Sequence, residues 1–71
     1  MIPDLNVGDL VYHKVELILL KKLNIGIILK KRPKRHSYLV YWINYRPNFY
    51  YTSDFNLAKY NEETYAILNN R

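Results

Sequence analysis

Residues 37–45 read SYLVYWINY and have the strongest β-strand character in the chain. Aromatic and β-branched side chains dominate this segment, and strands favour these residue types. Successive side chains of a strand point to opposite faces. One face carries Tyr38, Val40 and Trp42, and the other carries Leu39, Tyr41, Ile43 and Tyr45. We expect the face with Val40 and Trp42 to line the core.

Four shorter segments share the strand pattern: VGDLVYH at 7–13, IGIIL at 25–29, FYYT at 49–52 and TYAIL at 64–68. Ser53 and Asp54 predict one helical turn that continues to Leu57. These patterns predict a single all-β domain over residues 1–71 with its core in 7–68. We expect a five-stranded antiparallel barrel with the helical turn before the last strand, because partial closure of a sheet removes exposed edges.

Three connecting or terminal segments are less regular. Residues 15–23 (VELILLKKL) have apolar side chains at 15, 18, 19 and 23 that fit a helical face, but those at 17 and 20 interrupt the period. We interpret this segment as a distorted hairpin ending at Asn24. Residues 30–36 (KKRPKRH) predict a charged loop. Residues 61–68 fit either the last strand, which we favour, or a helix that begins at Asn61.

The excess positive charge is concentrated in one segment. The chain has 11 Lys and Arg against 6 Asp and Glu, a net charge of +5. Residues 30–46 contain no acidic residue and six cations: Lys30, Lys31, Arg32, Lys34, Arg35 and Arg46. Three interpretations remain open. The segment contacts nucleic-acid phosphates while Tyr38, Tyr41 and Tyr45 stack on bases, or it docks on an acidic protein, or it is a solvated hairpin tip.

Several kinds of chemistry lack the residues they need. The chain has no cysteine, which excludes disulfides and thiolate sites and favours an intracellular or virion setting over a secreted one. Its two histidines, His13 and His36, lack the spacing of a zinc site. Lys14 next to His13 disfavours an imidazolium there, and His36 has no acidic residue within twelve positions in sequence, so neither suits a catalytic set. We therefore predict no catalytic residues, no metal and no cofactor. No apolar run approaches the length of about 20 residues that spans a bilayer, so we expect no membrane partner.

Two motifs resemble known small proteins. The segment VGDLV at 7–11, followed by GII at 26–28, resembles the opening strands of SH3-like barrels of the KOW and Tudor kinds. The segment YLVYW at 38–42 is similar to the third strand of small uncharacterised tailed-phage proteins, particularly those of marine phages. Their aromatic fourth strand and following turn are matched by residues 49–51 and 54–57. The resemblance covers residues 7–57 and implies an SH3-like fold in a phage protein.

The second face of the 37–45 strand predicts an interface, unless residues 60–68 cover it. Its candidate contact residues are Leu39, Tyr41, Ile43, Tyr45 and Tyr50. We therefore expect a non-enzymatic interaction module that binds protein subunits of a larger assembly. With the resemblance, this suggests a virion component of the capsid cement, neck or tail adaptor type, located in the virion or host cytoplasm. A nucleic-acid-binding KOW- or Tudor-like domain, a phage effector that binds a host protein, and a homo-oligomer remain alternatives.

Overall fold

The structure of the chain is a computed structural model that describes residues 5–43 and 48–69. Its elements, in chain order, are β1 (Leu10–His13), α1 (Lys14–Leu20), β2 (Ile25–Arg32), a 3₁₀ turn (Pro33–Arg35), β3 (Ser37–Trp42), β4 (Phe49–Ser53), a second 3₁₀ turn (Asp54–Asn56), β5 (Leu57–Lys59) and α2 (Glu62–Asn69). Neither of the two helices is long and apolar enough to cross a membrane, as far as the described residues show.

The five strands form one sheet in the order β4-β3-β2-β1-β5, and every neighbouring pair is antiparallel. The prediction of five antiparallel strands is therefore confirmed. The predicted closure into a barrel is not seen, because within residues 5–43 and 48–69 β4 pairs only with β3 and β5 pairs only with β1. The predicted helical turn after β4 is confirmed at Asp54–Asn56, where the Ser53 hydroxyl accepts a hydrogen bond from the Phe55 N–H.

The core lies against one face of the sheet. The buried apolar side chains of this core are Leu5, Val11, Ile28, Tyr38, Val40, Trp42 and Leu57. The expected inward position of Val40 and Trp42 is confirmed. Gly26 lies opposite Trp42 in the β2–β3 ladder, and its missing side chain leaves room for the Val40 and Trp42 side chains.

The predicted strand at 64–68 is wrong, because this segment belongs to helix α2 and the fifth strand is Leu57–Lys59. Hydrogen bonds at the start of α2 explain the difference. The Asn61 side-chain oxygen accepts from the Thr64 N–H at 3.0 Å, and the Thr64 hydroxyl donates to the Lys59 carbonyl at 2.8 Å. Glu62 and Glu63 occupy the first turn, where negative charge is favourable. These local interactions outweigh the β-propensity of the TYAIL sequence.

The prediction of a distorted hairpin at 15–23 is also wrong, because residues 14–20 form helix α1. His13 caps this helix, since its Nδ1 accepts a hydrogen bond from the Glu16 N–H at 3.2 Å. The helix ends at Lys21, which has a left-handed backbone conformation with φ of 57°. A histidine cap and a lysine in the left-handed region are both uncommon helix signals, so the sequence pattern alone did not indicate them.

The charged loop predicted at 30–36 is shorter than expected. Lys30, Lys31 and Arg32 belong to β2, which pairs with β3 as far as the Arg32–Ser37 pair. The pairing register shifts between Ile28 and Lys30, which makes Leu29 the extra residue of a β-bulge. Only residues 33–36 connect the two strands, with His36 in the left-handed region at φ of 50°.

We expect Asn61→Ala to loosen α2 without unfolding the sheet. The substitution removes the acceptor for the Thr64 N–H, and loss of such a cap costs about 1 kcal/mol. Amide hydrogen exchange should accelerate about fivefold across α2 while exchange in β2 and β3 stays unchanged. Asn56→Ala is the matched control, since it removes the same side chain outside α2. Equal protection of α2 in both variants would contradict the role assigned to Asn61.

Candidate docking surface

The outward face of the sheet carries a row of large apolar side chains. Cross-strand pairing places Leu10 opposite Ile27, Ile27 opposite Tyr41, and Tyr41 opposite Phe49. Directly opposite residues of antiparallel strands have neighbouring side chains on the same face. Tyr41 keeps 40% of its surface exposed and Phe49 keeps 60%. The row therefore presents an uncovered apolar band across four strands.

A second row runs beside the first. Lys30 pairs with Leu39, and Leu39 pairs with Tyr51. We use the name docking face for the exposed apolar residues of these two rows together with Ile43. Ile43 directly follows β3 and continues the alternation that places Leu39 and Tyr41 on the outward face. The docking face comprises Leu10, Tyr41, Ile43, Phe49 and Tyr51. Helix α2 does not cover it, because these side chains remain exposed while Tyr60 and Tyr65 form an edge-to-face ring pair next to Leu10.

The structure describes four of the five predicted contact residues. Leu39, Tyr41 and Ile43 lie on the outward side as expected, with Leu39 half-buried. Tyr50 does not join them, because it pairs with Val40 on the core side and its ring centroid lies 6.1 Å from that of Trp42. Tyr45 lies outside the described residues. The predicted contact residues did not include Phe49 and Tyr51, which alternate with Tyr50 and are outward residues of β4.

The β-bulge places two of the predicted cations beside the docking face. Downstream of the bulge, Lys30 and Arg32 pair with the outward residues Leu39 and Ser37. The Arg32 guanidinium lies 3.4 Å from the centre of the Tyr51 ring, and its Nε donates to the Ser37 hydroxyl at 3.0 Å. This stacking fixes a positive charge at the border of the apolar surface.

The remaining members of the basic segment point elsewhere or are not described. Lys31 pairs with the buried residue Tyr38, and its Nζ donates to the Asn6 side-chain oxygen at 3.3 Å. Lys34 and Arg35 are exposed in the 3₁₀ turn between β2 and β3. Arg46 lies outside the described residues. The segment is thus a divided surface rather than one continuous basic patch.

The end of the β2–β3 hairpin brings a histidine and a carboxylate together. His36 Nδ1 lies 3.8 Å from Asp54 Oδ2, and the Asp54 N–H donates to the His36 carbonyl at 2.9 Å. The sequence did not indicate this pair, because 18 positions separate the two residues. The neighbouring hydroxyl, that of Ser37, accepts from Arg32, so the three side chains are not linked as a nucleophile, base and orienting acid. The described part of the chain contains no cluster of three or more His, Cys, Asp or Glu suited to a metal ion.

Helix α1 is a second exposed apolar surface, and the sequence interpretation missed it. None of its side chains is buried, and Ile18 and Leu19 keep 68% and 72% of their surface exposed. The signal was present at positions 17 and 20, whose apolar side chains interrupt a one-sided helical pattern. Five of the seven residues of α1 are apolar and are not confined to one stripe of the helix, a pattern that usually belongs to a buried helix.

Comparisons with protein-family models, with curated protein sequences and with solved structures find no match for this chain.

Proposed function

We propose that this chain is a non-enzymatic docking module that binds a partner protein through the docking face. The observation that carries the proposal is the uncovered apolar band formed by Leu10, Tyr41 and Phe49 with their neighbours. Contiguous apolar surface of this kind on a small domain marks an interaction site. The band combines the aliphatic side chains of Leu10 and Ile27 with the aromatic rings of Tyr41 and Phe49, which suits a protein surface better than nucleic-acid bases, since only aromatic rings stack on bases.

Charge complementarity indicates the chemistry of the partner. Lys30 and Arg32 border the docking face, and the chain carries a net charge of +5. Stacking on Tyr51 pre-organises the Arg32 guanidinium, whose planar donor groups can bind a carboxylate in a bidentate manner. The partner is therefore a protein with an apolar patch bordered by Asp or Glu side chains. Arg and Tyr are enriched among the residues that contribute most to binding energy at such interfaces.

The proposal includes an SH3-like fold and a role as a virion component. Two features support the fold: the strand order β4-β3-β2-β1-β5 and the 3₁₀ turn immediately before β5. The resemblance of residues 7–57 to small tailed-phage proteins supports a structural role of the capsid cement, neck or tail adaptor type. A phage effector that binds a host protein would use the same docking face.

The test compares two phenylalanines that differ in position. The protein is purified from its native context, the partner that accompanies it is identified, and binding of the purified pair is titrated. Phe49→Asp should weaken binding about tenfold or more, because it places a charge within an apolar contact. Phe55→Asp is the matched control, because Phe55 is 79% exposed but lies in the 3₁₀ turn outside the docking face.

Either of two results would reject the docking proposal. One is a protein that runs as a free monomer throughout its native context. The other is a partner whose affinity falls equally in the Phe49→Asp and Phe55→Asp variants.

One arrangement favours nucleic acid as a second candidate ligand. The exposed rings of Tyr41, Phe49 and Tyr51 share a face with the stacked cation Arg32, and rings beside cations can hold bases and phosphates. In that case the protein should bind a random-sequence oligonucleotide with an affinity that falls steeply as salt rises. Absence of binding at low salt would eliminate this candidate.

A further inference from the structure

Helix α1 projects aliphatic side chains into solvent. Ile18, Leu19 and Leu20 are all more than half exposed, and Val15 adds to the same surface. None of its side chains is fully buried, and Leu17 is half-buried. Its position is nevertheless defined, because the His13 cap fixes its start and the left-handed Lys21 fixes its end. The chain therefore holds an apolar helix at its surface in a defined conformation.

The directions of these side chains indicate the kind of environment that covers them. Successive helical residues are rotated by about 100°, so Ile18, Leu19 and Leu20 together spread over about half of the helix circumference. A protein groove receives one stripe of a helix; Val15, Ile18 and Leu19 have the i, i+3, i+4 spacing of such a stripe, but the exposed Leu20 lies outside it. The boundary between the headgroups and the acyl chains of a lipid layer is fluid and can accommodate the wider apolar surface that includes Leu20.

The charges around α1 indicate the polarity of that surface. Lys14, Lys21 and Lys22 flank the apolar residues on both sides. Glu16 is the one acidic residue between positions 10 and 50, and its carboxylate accepts a hydrogen bond from the Asn24 side-chain amide. Lysines at the ends of an inserted segment bury their methylene groups and leave their ammonium groups among phosphates. A second copy of the chain would bring the same cations together and is disfavoured for that reason.

We propose that α1 inserts into the headgroup region of an anionic lipid surface, with Ile18, Leu19 and Leu20 in the apolar layer and the three lysines on lipid phosphates. The sequence alone led us to expect no membrane partner, and the exposure of α1 is the observation that changes this expectation. A helix of 7 residues is about 10 Å long, which matches interfacial insertion rather than a span. The proposal does not depend on the docking face, since α1 carries none of the docking-face residues.

The first experiment places a fluorescent reporter at each apolar surface. Leu19→Trp and Phe49→Trp both replace exposed side chains, so neither change disturbs the core, and the signal of the buried Trp42 is subtracted using the wild-type protein. Vesicles of phosphatidylcholine and phosphatidylglycerol in equal parts should shift the emission of the Leu19→Trp variant to shorter wavelength. Vesicles of phosphatidylcholine alone should not. The Phe49→Trp variant should show no shift with either.

The second experiment measures co-sedimentation with the same anionic vesicles. Leu19→Asp and Lys22→Glu should each lower the apparent partition coefficient for vesicles about tenfold. The first removes apolar insertion, and the second reverses a charge. Phe49→Asp should bind vesicles as the wild type does. This separates the lipid proposal from the docking proposal, because each surface has a variant that leaves the other intact.

Three results would overturn the lipid proposal. The emission of the Leu19→Trp variant does not change with anionic vesicles, or it changes equally with neutral ones, or the protein sediments without vesicles because α1 mediates self-association.

Discussion

Gly26→Ala is expected to remove most of the stability of the protein. A Cβ at this position would lie 2.5 Å from Val40 Cγ1 and 2.9 Å from both Trp42 Cε3 and the Tyr41 carbonyl oxygen. None of these atoms can move easily, because Val40 and Trp42 are buried and the third atom belongs to the backbone. Overpacking costs about 1–3 kcal/mol or more, and a core of this size supplies only about 3–5 kcal/mol. Urea unfolding followed by circular dichroism measures the loss.

Gly8→Ala separates crowding from backbone strain. Gly8 has φ of 94°, a conformation that alanine tolerates poorly, but a Cβ there would meet no atom within 4 Å. Its substitution should therefore cost only the strain, about 1 kcal/mol. If both variants unfold at the same urea concentration, close packing at Gly26 is not what limits stability.

Substitutions at two adjacent residues of β3 should have opposite consequences. Trp42→Ala removes the largest buried side chain, which contacts the rings of His13 and Tyr50. Deleting a buried tryptophan costs about 3–5 kcal/mol, comparable to the whole stability of the domain. Tyr41→Ala removes an outward ring and should leave the fold intact while weakening partner binding about tenfold.

Two measurements on the same samples test this pair. Thermal unfolding should show a lost transition for Trp42→Ala and a transition close to that of the wild type for Tyr41→Ala. Titration with the purified partner should then show weaker binding for Tyr41→Ala. If the Tyr41→Ala protein binds the partner normally, Tyr41 does not contribute to the docking face. If the Trp42→Ala protein is folded, the core does not depend on Trp42.

The sequence predicted the centre of the fold better than its connections. The dense pattern of residues 37–45 sets the two faces of β3, because alternation within one strand needs no knowledge of its neighbours. The position of Tyr50 was misjudged, since the face of a residue in β4 depends on the register across the turn before it. Once Tyr50 pairs with Val40, Phe49 and Tyr51 necessarily point outward.

The two helices show a different limit. In α2, the Asn61 and Thr64 hydrogen bonds decide a segment whose β-propensity and helical signals nearly balance. In α1, an imidazole cap and a left-handed lysine define a helix with no one-sided apolar pattern. Sequence patterns report burial, and a helix without a fully buried side chain gives no such pattern. The most exposed apolar element was for that reason the hardest to predict.

The extra residue at Leu29 has a consequence for how this hairpin can vary among related sequences. Ile28 pairs with Val40 and Lys30 pairs with Leu39, so the partners on either side of the bulge are already consecutive along β3. A homologue that lacks one residue here would form a regular ladder with the same pairs and keep both cations beside the aromatic surface. We therefore expect the deletion of a single residue to be tolerated at this point of β2. Elsewhere in the strand the same change would exchange the two faces of the sheet.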